Sequence, residues 1–354
     1  MIELTPFLKK LLGLPGLSAY ETPVREAIAE TWQPLVDELM VSRVGSLHGL
    51  KRGVAPEPRP RLLLAAHMDA VGLMVSGIVE GFLRITEVGG VDNRILPGQL
   101  VTVHGQRDLP GVVVQPPDFL LPLEQRGKPV RREFLLVDVG LTPDEVGKLI
   151  RVGDPVSFAQ QPFELPGEAL VGHSLDNRAS VAALTVCLDE LQHMVCGWDV
   201  WAVATAQEEE TFLGAYTSPF DIRPNMALVV DVTHAKGPGG NDYRTYGLGK
   251  GVVLGWGPNI HPGLHKAVKE LAERLEVPFQ IEPMPRHSGT DAYAIQITAE
   301  GIPCMVLSIP LRYMHTPVEL VSLKDIYRTG HLLAEFIARL KPDFIQKVTW
   351  EEPS

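Results

Sequence analysis

The stretch Val200–Glu210 reads VWAVATAQEEE. A short apolar run, Val200–Ala206, ends abruptly in three adjacent carboxylates, Glu208, Glu209 and Glu210. A buried strand that delivers polar groups at its C-terminal end is how an open α/β sheet presents chemistry to a ligand crevice. Three neighbouring carboxylates repel one another, so this reading calls for a cation close by. The alternative is a solvated loop that happens to be acidic.

Other apolar runs end the same way. Arg61–Ala66 (RLLLAA) leads into His67-Met68-Asp69, Met226–Val230 (MALVV) into Asp231, and Cys304–Ile309 (CMVLSI) into Arg312-Tyr313-Met314-His315. Helical spacing separates them: Phe7–Leu12, Val24–Trp32 behind Thr22-Pro23 as cap and first position, Asp176–Met194, Pro262–Leu275, Thr290–Ile297 and Ser322–Leu340, with Phe279–Glu282 as a further strand. Strand–helix alternation predicts an α/β fold with a mixed, largely parallel sheet covered by helices.

Between Val71 and about Pro166 the texture changes. Short β-like runs (Leu83–Thr86, Leu100–His104, Gly111–Val114, Phe134–Val139, Pro155–Phe158) alternate with glycine, proline and charged turns. Pro143–Ile150 alone looks helical there, with Thr142 as its cap. Gln115–Arg132 is proline-rich without a clear period and reads as a long loop. The block is an inserted small β-barrel or sandwich, residues 71–166, within a catalytic domain made of residues 1–70 and 167–354.

Composition narrows the class. With 354 residues, 45% hydrophobic and 21% charged, the chain has the make-up of a globular protein of more than one typical domain. A formal net charge of −11 argues against nucleic acid or an anionic membrane as partner. Cys187, Cys196 and Cys304 are odd in number and lie in apolar surroundings, so they read as buried thiols in a reducing compartment. The start of the chain lacks the pattern of a signal peptide and no apolar run is long enough to span a bilayer, so the expectation is a cytoplasmic protein.

The polar groups at element ends form one set: His67, Asp69, Asp176, Glu208, Glu209, Asp231 and His315. Imidazole and carboxylate without thiolate suit zinc, cobalt or manganese. A bridging carboxylate with two terminal ligands per ion would use five residues: His67, Asp176, Glu209, Asp231 and His315. Asp69, two residues beyond His67, could receive the imidazole N–H and orient the ring. Glu208, beside a ligand, is left as general base. Each residue also has a structural reading: Asp176 as a helix cap, Asp231 as turn chemistry, either histidine as an ordinary packed side chain.

Six motifs run in one order: HMDAVGLMV (His67–Val75), LDNR (Leu175–Arg178), QEEE followed by FLGA (Gln207–Ala215), VVDVTHA (Val229–Ala235), SGTDA (Ser288–Ala292) and IPLRYMHTPVE (Ile309–Glu319). In order and spacing they resemble the tetrahedral, glutamyl-aminopeptidase-like family of di-metal peptidases, some of which carry the label endoglucanase. The resemblance runs from about Leu14 to about Leu340. It implies a phosphorylase/hydrolase-like αβα catalytic domain, an inserted β-barrel dimerisation domain, and dimers assembling into a tetrahedral dodecamer. It further implies two divalent ions, His67 and Asp231 on one, Glu209 and His315 on the other, Asp176 bridging and Glu208 as base. The chain departs from the family pattern at Ala70, at Glu210-Thr211 and at Pro116–Asp118, where PPD stands for PPH.

The implied activity is removal of N-terminal residues from short peptides by a metallo-aminopeptidase, with Asp291 as a candidate for the substrate's α-amine or, alternatively, a helix-cap residue. Two other readings stand beside it. A metal-independent glycoside hydrolase would use a carboxylate pair such as Glu208 and Glu210, and leaves His67, Asp231 and His315 unexplained. A di-metal scaffold would bind ions without turnover.

Overall fold

The computed structural model describes residues 2–348. Its larger body is an eleven-stranded mixed sheet with four parallel strands at the centre, in the order Asp199–Thr205, Arg61–His67, Met226–His234, Cys304–Arg312. Leu62, Leu63 and Leu64 are fully buried although successive side chains of a strand point to opposite faces, so both faces are covered. Helices Leu175–Glu190 and Leu323–Ala338 pack on each other and on the sheet. Leu213–Ile222 and Asp291–Gln296 form a second helical pair, which also packs against the central strands and completes an αβα sandwich.

The sheet is extended by elements the sequence pattern does not announce. On one side lie Leu47–Lys51 and Glu38–Val41, and on the other Glu319–Ser322, Ala169–Gly172 and Phe163–Leu165. Val252–Trp256 pairs antiparallel with Cys304–Arg312 and parallel with Phe279–Pro283.

The smaller body is a closed antiparallel barrel of six strands: Gly72–Val79, Phe82–Val88, Leu136–Asp138, Asp108–Val114, Leu100–His104 and Pro155–Phe158. Closure leaves no unpaired sheet edge. Gly72–Val79 is a barrel strand that the glycine-interrupted sequence hid, and the expected strand over Phe134–Val139 shrinks to three residues behind a 3-10 turn. The barrel has its own apolar core, centred on residues such as Leu73, Leu83, Val103 and Val137, separate from that of the sandwich. Gln115–Arg132 connects two barrel strands and contains two 3-10 turns.

Three local expectations are corrected. Thr22 lies inside its helix and Glu21 occupies the cap position, so proline still falls in the first turn. Asp176 is not a helix cap: the non-helical Asn177 separates it from the regular turns, and its carboxylate faces His67 and His315. Asp231 is not in a turn, because its strand continues to His234 and pairs Asp231 with Ser308. Cys187, Cys196 and Cys304 are buried and free. Among the described residues, no helix is long and apolar enough to cross a membrane.

Candidate metal centre

Parallel strands whose C-terminal ends lie side by side bring their terminal residues together. His67 is the last residue of its strand and is in register with Thr205, three residues before Glu208. Glu208–Thr211 is a single helical turn flanked by Gln207 and Phe212, both with positive φ. That left-handed backbone turns the chain sharply and aims Glu208 and Glu209 back over the strand ends. His315, at φ 61°, sits in the loop after Cys304–Arg312.

His67, Asp176, Glu208, Glu209, Asp231 and His315 line one cavity of about 280 Å³. His67 Nε2 lies 3.2 Å from Asp176 Oδ1, and His315 Nε2 lies 3.3 Å from Asp176 Oδ2. The two oxygens of Asp176 therefore face two different histidines. Glu209 Oε2 is 3.4 Å from His315 Nε2, while Asp231 Oδ1 and Glu208 Oε2 lie 3.9 and 3.7 Å from His67 Nε2. Among the described residues, His67, Asp176 and Glu209 bring ligand atoms within 4.8 Å of one another, as do His67, Glu208 and Asp231.

Asp69 lies behind this front rank, fully buried. His67 Nδ1 is 3.3 Å from its Oδ1 and 3.2 Å from its backbone carbonyl. Its carboxylate also accepts from Ser18 Oγ at 2.6 Å and from the backbone N–H groups of Glu208 and Glu209 at 3.0 and 3.3 Å. Burial opposes ionisation of Asp69, but His67 and these donors outweigh it and hold the group below its usual range.

The electrostatics call for a cation. Burial first, and then neighbouring carboxylates, push Glu208, Glu209 and Asp231 well above the normal carboxylate range. Burial would depress His67, yet Glu208, Asp176 and Asp69 together raise it well above an ordinary imidazole. Glu209 Oε1 is buried without a hydrogen-bond partner, and no lysine or arginine is among the described residues lining the cavity. Oxygen and imidazole donors crowded in this way fit divalent metal.

Asp291 is buried behind the residues that line the cavity, and its Oδ1 has no hydrogen-bond partner. It is not the helix cap: Thr290 is, accepting from Ala292 N–H, while Asp291 Oδ2 accepts from Thr205 Oγ1. Glu210 is exposed and accepts from the N–H of Gly89, at the end of a barrel strand. It thus ties the acidic turn to the barrel.

Two supporting carboxylates escape sequence reading. Glu319 is buried and accepts from His315 N–H through Oε1 at 2.8 Å and from Asp176 N–H through Oε2 at 3.1 Å. Glu21 Oε1 accepts from Gln207 N–H at 3.1 Å and fixes the start of the acidic turn. Glu319 stands four residues after His315 in the last of the six motifs, which was the available signal.

Comparison with known proteins gives a consistent picture. The family model described as M42 glutamyl aminopeptidase matches residues 45–332. Lysyl aminopeptidase of Pyrococcus furiosus is 35% identical over 344 residues, covering 95% of this chain and 97% of that protein. The TET aminopeptidase from a marine sediment Thaumarchaeota archaeon superposes with a TM-score of 0.92 at 30% identity, covering 98% of this chain and 99% of that one. The TET1 peptidase of Pyrococcus horikoshii, described as able to assemble into a tetrahedron or a large octahedral shell, gives a TM-score of 0.83 at 30% identity and covers 96% and 100%. With matches of this length over both bodies of the fold, the chain belongs to the M42 glutamyl aminopeptidase family and is a peptidase.

Proposed function

We propose that this chain is a metal-dependent aminopeptidase that removes N-terminal residues from short peptides. The observation that carries the reading is the placement of Asp176, one oxygen toward His67 and the other toward His315, in a cavity that also holds Glu208, Glu209 and Asp231. His67 and Asp231 would hold one divalent ion, Glu209 and His315 a second, and Asp176 would bridge; zinc or cobalt suits this donor set, manganese also. Ions held there supply Lewis acidity that polarises a carbonyl and makes water easier to deprotonate.

The chain's own groups do the proton chemistry. Glu208 takes a proton from the attacking water as the C–O bond forms, and passes it to the peptide nitrogen as the C–N bond breaks. Asp69 fixes the His67 ring and, through the N–H groups of Glu208 and Glu209, the turn that carries the base and its neighbour. Glu319 does the same for the backbones of Asp176 and His315. The glycosidase alternative loses its carboxylate pair, since Glu210 is bonded to Gly89 and does not line the cavity. The quaternary state proposed with it is a homo-oligomer, barrel-mediated dimers assembling into a tetrahedral dodecamer; similarity to a TET1 dodecamer, and to a TET1 peptidase described as forming a tetrahedron or a large octahedral shell, supports a large assembly.

The test is hydrolysis of aminoacyl-anilides by purified protein before and after exhaustive chelation. Activity that disappears with the metal and returns on adding zinc, cobalt or manganese is the expected result. Full activity after metal removal overturns the metal dependence, β-glucan cleavage that survives chelation supports the glycosidase, and metal binding without turnover on any peptide supports the scaffold.

A further inference from the structure

The cavity reaches beyond the metal-centre residues to the edge strand Phe279–Pro283. Register explains how. Asp231 pairs with Ser308, Ser308 with Val253 and Val253 with Gln280, and two residues along the last pair of strands Gly255 pairs with Glu282. Paired residues share a sheet face and the side-chain period is two, so Asp231, Thr233, Ser308 and Glu282 all stand on the cavity side. Gly255 places no side chain between them, and Met284 fills that space: a Cβ on Gly255 would meet its sulfur at 3.0 Å.

Glu282 is held toward the metal centre. Its Oε1 accepts from Thr233 Oγ1 at 2.9 Å. Thr233 lies two residues beyond Asp231, or roughly 7 Å along the strand. The second oxygen, Oε2, is buried without a well-formed hydrogen bond, and the other donor beside the carboxylate is the neutral hydroxyl of Ser308. A buried carboxylate with a free oxygen is costly unless something cationic meets it. No lysine or arginine among the described lining residues does so. Two divalent ions would offset four charges, already fewer than the carboxylates of Asp69, Asp176, Glu208, Glu209 and Asp231 carry, and would leave nothing to neutralise Glu282.

We propose that Glu282 is the specificity carboxylate of this site and receives the cationic side chain of an N-terminal lysine or arginine. The four-carbon stem of lysine lies along Met284 while its ammonium meets Oε2. Burial raises Glu282, and a cation seated there reverses that shift. The inference rests on the aminopeptidase reading and names its substrate class.

The experiment measures kcat/KM of the metal-loaded full chain on Lys-, Arg-, Leu- and Glu-anilides, with the wild type and Glu282→Gln. The wild type is expected to favour Lys and Arg over Leu and Glu. In Glu282→Gln the Lys:Leu ratio is expected to fall by roughly tenfold or more, chiefly through KM for Lys. A wild type that prefers Leu or Glu, or a ratio that Glu282→Gln leaves unchanged, overturns the assignment without touching the aminopeptidase reading. No hydrolysis of any of the four overturns that reading and this one with it. Should Glu282→Gln not fold, competition by free lysine and leucine against Leu-anilide in the wild type decides: lysine is expected to inhibit more strongly, and equal inhibition overturns the proposal.

Discussion

Glu208 donates its backbone N–H to Oδ1 of Asp69 at 3.0 Å, so the acidic turn is anchored to the residue that also meets the His67 ring. One carboxylate thereby sets the position of a candidate ligand and of the candidate base. Four donors, from Ser18, His67, Glu208 and Glu209, converge on its two oxygens and its own carbonyl.

Asp69→Asn keeps the size of the side chain but replaces one acceptor oxygen with an NH₂ that faces donors. We expect kcat to fall by about 10–100-fold at saturating metal, the range for loss of a residue that orients a ligand. Steady-state kinetics with metal content measured in parallel checks this. Wild-type kcat in a fully loaded variant would remove Asp69 from the account of positioning.

Glu319 plays the corresponding part on the opposite side, tying the backbones of Asp176 and His315 together from a buried position. In Glu319→Gln one of the two N–H groups faces an amide donor. Metal affinity is expected to weaken by about 10–100-fold, read by competition with a chelator of known affinity. An unchanged affinity would mean that Asp176 and His315 are held well enough by their own loops.

Much of this arrangement is legible from VWAVATA, RLLLAA, MALVV and CMVLSI, because a covered parallel strand is apolar throughout and its end is marked by the first polar residues. That logic finds His67, Glu208, Glu209 and Asp231 at one edge. It does not find Glu38–Val41 or Leu47–Lys51, where short length and the interruption by His48 and Gly49 blur any period. Val252–Trp256 is an apolar run that could have been read as a strand, but Gly251 and Gly255 punctuate it like a turn. Glu319, Glu282 and Glu210 owe their roles to partners far away in the chain: Asp176, Thr233 and Gly89. Such contacts follow from sheet order, which local pattern does not encode.

His48 offers a pH test away from the cavity. It is buried, its Nε2 lies 2.9 Å from Ser218 Oγ, and burial pushes its pKa down to about 4. In the unfolded chain an imidazole takes a proton near pH ~6.5. Between these values the unfolded state binds more protons, so stability falls as pH drops through that window and is unaffected above it. Wild type should lose on the order of 3 kcal/mol more than His48→Gln between about pH 7 and pH 4. Denaturant unfolding at both pH values checks it, since carboxylate titration is common to the two proteins. Equal losses would show that His48 is not a source of acid sensitivity.

The most direct test is Glu208→Gln, assayed on Lys- and Leu-anilides with metal occupancy confirmed. Removing the proton acceptor while keeping its shape should lower kcat by about 10²–10⁴-fold, with fold and bound metal retained. Undiminished turnover in a fully loaded Glu208→Gln protein would contradict the assignment of Glu208 as the base.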